Sequence, residues 1–175
     1  TAGARQALEA GRLQDALAQA DGELERNPAS IGALYVRAVA QRYLGQQQAA
    51  LATLQRLREL NPNHARAYQE AGHNLRRLGD RARAIAAYQR AVELNRALPA
   101  SWRELAALYR REKMPSAAAA AQAEHDRLAK LPAELVSVSS LIQEGRLLKA
   151  ETLCRSFLQK HPHHVEAMRL LAMLG

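Results

Sequence analysis

Apolar positions fall at three- and four-residue steps along most of the chain. Leu51, Leu54 and Leu57 mark one such stripe, and Ile85, Tyr88 and Val92 mark the next. Polar residues fill the positions between, the pattern of a helix with one buried face. The stripes are interrupted at regular places by glycine or by Asn-Pro. Glycine permits a left-handed helix C-cap, and a residue before proline is pushed out of helical geometry. Together these signals predict helices near 1–10, 13–26, 30–43, 47–60, 64–77, 81–94, 98–111, 115–129, 133–143, 147–160 and 164–174.

The interruptions keep a period. Gly11, Gly45 and Gly79 are each 34 residues apart, as are Ala16, Ala50, Ala84 and Ala118. Asn27-Pro28 and Asn61-Pro62 repeat at the same step, and so do Ala33, Ala67 and Ser101. The step then shortens to 32, from Ala118 to Ala150 and from Ser101 to Ala133, before Ala133 to Ala167 restores 34. This places the two missing residues between Ala118 and Ala133, at the end of a hairpin. Small residues recur where two helices cross closely, because a larger side chain would force the backbones apart. One thin hairpin cannot bury its own apolar face, so neighbouring hairpins must stack.

A helical hairpin of this length and pattern resembles the tetratricopeptide repeat family. Residues 65–98 carry the resemblance best, with Tyr68, Ala71-Gly72, Leu75, Gly79, Ala84, Tyr88 and Ala91 in the family's signature places. The next repeat keeps Trp102, Leu105-Ala106, Tyr109 and Ala118 but has Lys113 at the turn. A further one keeps Gly145, Ala150, Phe157 and Pro162, while repeat two departs at Arg37, where an aliphatic residue is usual. The resemblance implies an all-α fold, a right-handed superhelix of antiparallel hairpins with about 11 helices. It implies one array over 1–175, with repeats near 1–30, 31–64, 65–98, 99–130, 131–164 and 165–175. The first and last are clipped, as in a piece of a longer array. Met168, Leu171 and Leu174 are then expected to expose apolar surface through which two copies could pair.

Composition agrees with helices. Val, Ile and Thr together number twelve and aromatics make up 4%, whereas alanine dominates an apolar share of 48%. The formal net charge of +8, carried mostly by arginine, points to acidic partners. A single cysteine, Cys154, excludes an internal disulfide, and no apolar stretch is long enough for a bilayer; the reading is cytoplasmic, with no membrane partner.

Catalytic signatures are missing from the sequence. No Gly-rich phosphate loop or G-x-S-x-G elbow occurs, and no paired carboxylates flank a cleft motif, so neither a catalytic residue nor a cofactor is assigned. His161-Pro162-His163-His164 has the spacing of a metal cluster but sits in a link between hairpins without a thiolate or carboxylate at ligand spacing. It reads as a surface turn, and no metal is assigned. Cys154 reads as a buried packing thiol.

In the family, the first helix of each hairpin lines the concave surface. Carried onto this chain, the inward positions are Tyr35, Val39, Arg42 and Tyr43 in repeat two. Repeat three supplies Arg66, Gln69, His73, Arg76 and Arg77, and repeat four supplies Arg103, Ala107, Arg110 and Arg111. Stacking repeats three and four would bring six arginines near one groove. Guanidinium pairs with carboxylate through two parallel hydrogen bonds, so the expected partner is an acidic protein or peptide. The competing reading is a soluble surface with some arginines tied to Glu70, Glu104 or Glu112. Nucleic acid is disfavoured because no ordered aromatic platform is available for stacking bases. The lysine–asparagine clamp of chaperone-binding relatives is not recognisable.

The runs 98–105, 131–135 and 151–158 also look like the N-terminal repeat region of bacterial repeat-containing sulfotransferases. That likeness implies a scaffold attached to an enzyme domain outside these residues. The alternative is a free-standing assembly adaptor for envelope or secretion machinery.

Overall fold

The computed structural model describes residues 1–174; Gly175, at the end of the expected sixth repeat, lies outside the described residues. Eleven helices occur among them. They are α1 Ala2–Glu9, α2 Leu13–Arg26, α3 Ile31–Tyr43, α4 Gln47–Leu60, α5 Ala65–Arg77 and α6 Arg81–Leu94. They continue as α7 Pro99–Arg111, α8 Pro115–Ala129, α9 Ala133–Gln143, α10 Leu147–Lys160 and α11 Val165–Ala172. The fold is all-α. The chain divides into two compact units, Thr1–Ala87 and the remainder from Tyr88, with the boundary inside α6.

In the first unit α1 packs on α2, α2 on α3, α3 on α4 and α4 on α5. Ala4, Ala7, Ala16, Ala20, Val36 and Ala40 form one buried cluster. Small side chains at these crossings let the backbones approach. Leu34, Leu54 and Leu57, all fully buried, supply apolar mass worth about 2 kcal/mol each. Arg37, the departure from the aliphatic pattern, is half-buried; its Nε lies 2.9 Å from Asp21 Oδ1 on α2. The stem covers apolar surface while the charged head reaches a carboxylate.

In the second unit α7 pairs with α8, α9 with α10, and α11 packs on both α9 and α10. Leu135, Val138, Cys154, Phe157 and Leu170 are central to its core. The Cys154 thiol is buried and its Sγ donates to Ala167 O at 3.2 Å; burial pushes it above the ordinary thiol value, as suits a packing residue.

Each hairpin turn uses one left-handed residue. Gly11, Gly45, Gly79 and Gly145 have φ between 70° and 81°, and Lys113 takes the same place at φ 57°. The Lys113 N–H bonds Arg110 O at 3.2 Å and the Met114 N–H bonds Tyr109 O at 2.9 Å. Gly79 and Asp80 make the same two bonds to Arg76 and Leu75. The turn geometry therefore survives loss of the glycine, with strain at Lys113.

The 32-residue step has a different origin from the one expected. Helix starts keep 34 from Pro99 to Ala133, whereas turn residues step by 32 from Lys113 to Gly145. The two residues are lost inside α9, which has 11 residues where α3, α5 and α7 have 13. Pro132 bars helical geometry at Leu131 and so fixes the start of α9, leaving the helix itself to absorb the deficit. As a result Ala133 is exposed, unlike Ala33, Ala67, Ser101 and Ala167, and Leu135 takes the first buried position.

Two histidines act as helix N-caps. His64 Nδ1 accepts from the Ala67 N–H at 3.2 Å, and His164 Nδ1 accepts from the Ala167 N–H at 3.3 Å. His161 packs its ring on Phe157, with centroids 4.6 Å apart. Two of the run's three histidines, His161 and His164, are thus engaged in packing and capping. Among the described residues, no helix is long and apolar enough to cross a membrane.

Candidate binding surfaces

Within the first unit the expected inward residues lie on α3 and α5. On α5 the buried stripe is Ala67, Ala71 and Leu75, each within an amphipathic helix whose other face carries the polar set. Arg66, Arg76 and Arg77 are exposed, and Gln69 and His73 are half-buried. Arg76 and Arg77 sit in the last turn of α5, and Arg42 in the last turn of α3, where the partial negative charge of a helix C-terminus favours cations.

Arg42 has a structural role. Its Nε lies 2.6 Å from Glu70 Oε2, with both side chains largely withdrawn from solvent. Burial pushes the Glu70 carboxyl above its ordinary value, while Arg42 and Arg66 pull it back. The Arg42 guanidinium also lies 4.0 Å from the Tyr43 ring centroid, and Tyr43 is 60% exposed. Arg42 therefore holds α3 to α5 and orients an exposed aromatic ring. Tyr35 is half-buried against the ring of cap residue His64, at 5.4 Å between centroids, and Val39 is buried.

In the second unit α7 carries Arg103, Ala107, Arg110 and Arg111, all exposed. Arg103 reaches Glu104 at 3.4 Å. Arg110 donates through Nη2 to Gln122 Oε1, so it turns toward α8 of its own hairpin. Of the acids anticipated as partners, Glu70 and Glu104 are thus engaged by arginine, Glu70 by a largely buried one and half-buried Glu104 by an exposed one.

Beyond the inward positions of repeat four, the second unit holds a cavity of about 220 Å³ whose lining includes none of the residues expected from the sequence. Its apolar side includes Leu128, Ile142, Leu170 and Met173. Its polar side includes Arg96, Arg127, Glu166 and Arg169. Arg96 lies 3.2 Å from Glu124 Oε1, and Arg127 lies 3.1 Å from Glu124 Oε2. Arg169 grips Glu166 with two bonds of 2.9 and 2.7 Å, which hold that carboxyl below its ordinary value. A sequence signal existed: Glu166 and Arg169 in α11, and Met173 just past its end, stand where Arg66, Gln69 and His73 stand in α5, counted from the helix start.

Comparison with known proteins bears on the repeat fold. The sequence profile of the tetratricopeptide repeat matches residues 65–98, and a second tetratricopeptide repeat profile matches 33–64. No curated protein matches the chain by sequence. Among solved structures, a MamA protein is similar over 91% of this chain and 88% of its own, at 18% identity and a TM-score of 0.65. A MamA fragment from Desulfovibrio magneticus RS-1 is similar over 73% of this chain and 72% of its own, at 23% identity and TM-score 0.65. TTC0263, a thermophilic repeat protein of Thermus thermophilus, is similar over 98% of this chain and 94% of its own, at 20% identity and TM-score 0.62. At these identities the likeness concerns the fold.

Proposed function

We propose that this chain, which is a tetratricopeptide-repeat protein, is a non-catalytic scaffold that docks an acidic protein segment on the arginine-bearing faces of its first helices. The repeat fold supports the protein-interaction role. The observation that carries the acidic preference is α5, which buries Ala67, Ala71 and Leu75 and turns Arg66, Arg76 and Arg77 outward. Gln69, His73, Tyr35 and the Arg42–Tyr43 pair border that face in the first unit; Arg103 and Arg111 lie on the corresponding face of α7 in the second, with Arg110 turned to Gln122 at its edge. Titration with a fluorescent Glu-Ala repeat peptide tests this. Arg76→Glu with Arg77→Glu is expected to weaken binding about tenfold or more, since two charge-assisted contacts are reversed. Equal binding of a Gln-Ala peptide, or no effect of the double reversal, would remove the acidic preference. Equally tight, steeply salt-dependent binding of single-stranded nucleic acid would replace it.

The larger setting in this reading is a bacterial, cytoplasmic sulfotransferase whose repeats present a protein substrate. Its support is the sequence likeness of residues 98–105, 131–135 and 151–158. Reading frame sequence beyond Gly175 tests it: an α/β domain carrying a sulfuryl-donor site agrees, and further repeats alone do not. A second reading, a free-standing adaptor that self-associates, is favoured by exposed Leu147, Leu148, Val165 and Met168 in the second unit. Mass in solution separates the two readings, because the adaptor requires a concentration-dependent oligomer.

A further inference from the structure

We propose that the cavity walled by α8, α9 and α11 is a docking site for a peptide segment that presents one bulky aliphatic side chain beside one carboxylate. Volume sets the first requirement. A space of about 220 Å³ exceeds the roughly 150 Å³ in which an apolar pocket holds benzene, so a leucine-sized group fits. Chemistry of the lining sets the second. Leu128, Ile142 and Leu170 offer no hydrogen bonds to a polar guest, the weak acceptor Met173 Sδ already takes one from Arg169 Nη1 at 3.7 Å, and an aliphatic guest releases their water.

Charge sets the third. Three guanidinium groups at this rim, Arg96, Arg127 and Arg169, face two carboxylates. Glu124 is shared by Arg96 and Arg127, and Glu166 is gripped by Arg169. The rim is therefore one negative charge short of balance. Arg96 gives Glu124 its Nη2 alone at 3.2 Å, and a guanidinium carries five N–H donors, so a further carboxylate can be accepted without breaking the existing pairs. A single acid next to the aliphatic group meets that need, whereas a strongly acidic tract would meet Glu124 and Glu166. The site shares no residue with the arginine faces of α5 and α7 and holds or fails without them.

The test uses the whole chain with labelled Ile, Leu and Met methyl groups and the blocked dipeptide Ac-Asp-Leu-NH2. Methyl shifts at Ile142, Leu170 and Met173 that saturate below about 10 mM are expected. Arg96→Gln and Arg127→Gln, both at exposed positions, are each expected to raise the dissociation constant about tenfold. Ac-Asn-Leu-NH2 and Ac-Asp-Ala-NH2 should each bind at least tenfold more weakly than the parent. No saturation at those methyls, or equal binding of either control peptide, overturns the proposal. Octanoate binding more tightly than the dipeptide also overturns it, in favour of a fatty acid.

Discussion

Asn95 Nδ2 donates to Ser140 Oγ at 2.8 Å, joining two buried side chains that are 45 residues apart in the chain. The Asn95 Oδ1 meanwhile accepts from the Ala97 N–H at 2.9 Å. Asn27 and Asn61 make that same local turn, to Ala29 and Asn63, at earlier copies of the position. Asn95 therefore does what its repeats do and also ties the α6–α7 connection to the end of α9. Arg96 N–H adds a bond to Gln143 Oε1 at 2.6 Å. Asn95→Ala should cost about 2–3 kcal/mol, because Ser140 is left buried with a lost partner and the turn loses its acceptor. Asn27→Ala, at an exposed turn, should cost about 1 kcal/mol or less. Denaturant midpoints compare the two, and equal losses would show that the Ser140 bond adds nothing.

The Arg42–Glu70 pair predicts a dependence on pH. Arg42→Gln strands a buried carboxyl, whose value then rises further above that of the unfolded chain. A carboxyl raised in the folded state contributes stability below its unfolded value and loses it as pH rises through the folded one. The variant's deficit should therefore be largest at neutral pH, about 2–4 kcal/mol, and shrink toward pH about 4. Thermal unfolding at several pH values measures it, and a deficit constant with pH would contradict the account.

Lys113 is the one non-glycine residue in the left-handed region among those described. Lys113→Gly should stabilise the chain by about 0.5–1 kcal/mol, the relieved strain being partly offset by greater freedom in the unfolded state. Gly79→Lys should lose a similar amount. Chemical denaturation of both variants checks the sign.

Ala50 has no exposed surface and lies on α4 where that helix meets α3. Ala50→Leu should cost about 1–3 kcal/mol by overpacking the crossing. Ala52→Leu, two residues on and exposed, should leave stability within about 0.5 kcal/mol. A tolerated Ala50→Leu would mean that the helices at this crossing are not closely apposed.

Helix positions were legible because each end is written locally, by Gly79 or Asn61 and by apolar residues three and four apart. The helix over 133–143 is legible, but the two-residue deficit lies inside it and not before Ala133, for a physical reason. Ala133 looked like another member of the buried small-residue series, but identity alone does not give helical phase, and removing two residues rotates a helix by about 200°. Asn95 lacks the Asn-Pro signal of Asn27 and Asn61 because arginine follows it instead of proline. Arg42 was expected to face a ligand; its acidic partner lies 28 residues away, on a helix whose contact with α3 no local pattern encodes. The cavity needed side chains from α8, α9 and α11 together, and no single stretch of sequence displays that convergence.

Cys154 gives the second unit a built-in reporter. Its sulfur faces the Ala167 carbonyl of α11, so a thiol reagent can reach it only when that helix swings away or the unit opens more widely. The speed of alkylation, set against that of an unstructured cysteine peptide, then reads out how often the sulfur is uncovered. The signal has a single source, since the chain holds no other thiol. A guest that clamps α11 against α9 would slow the reaction, and its occupancy could be followed with no label attached.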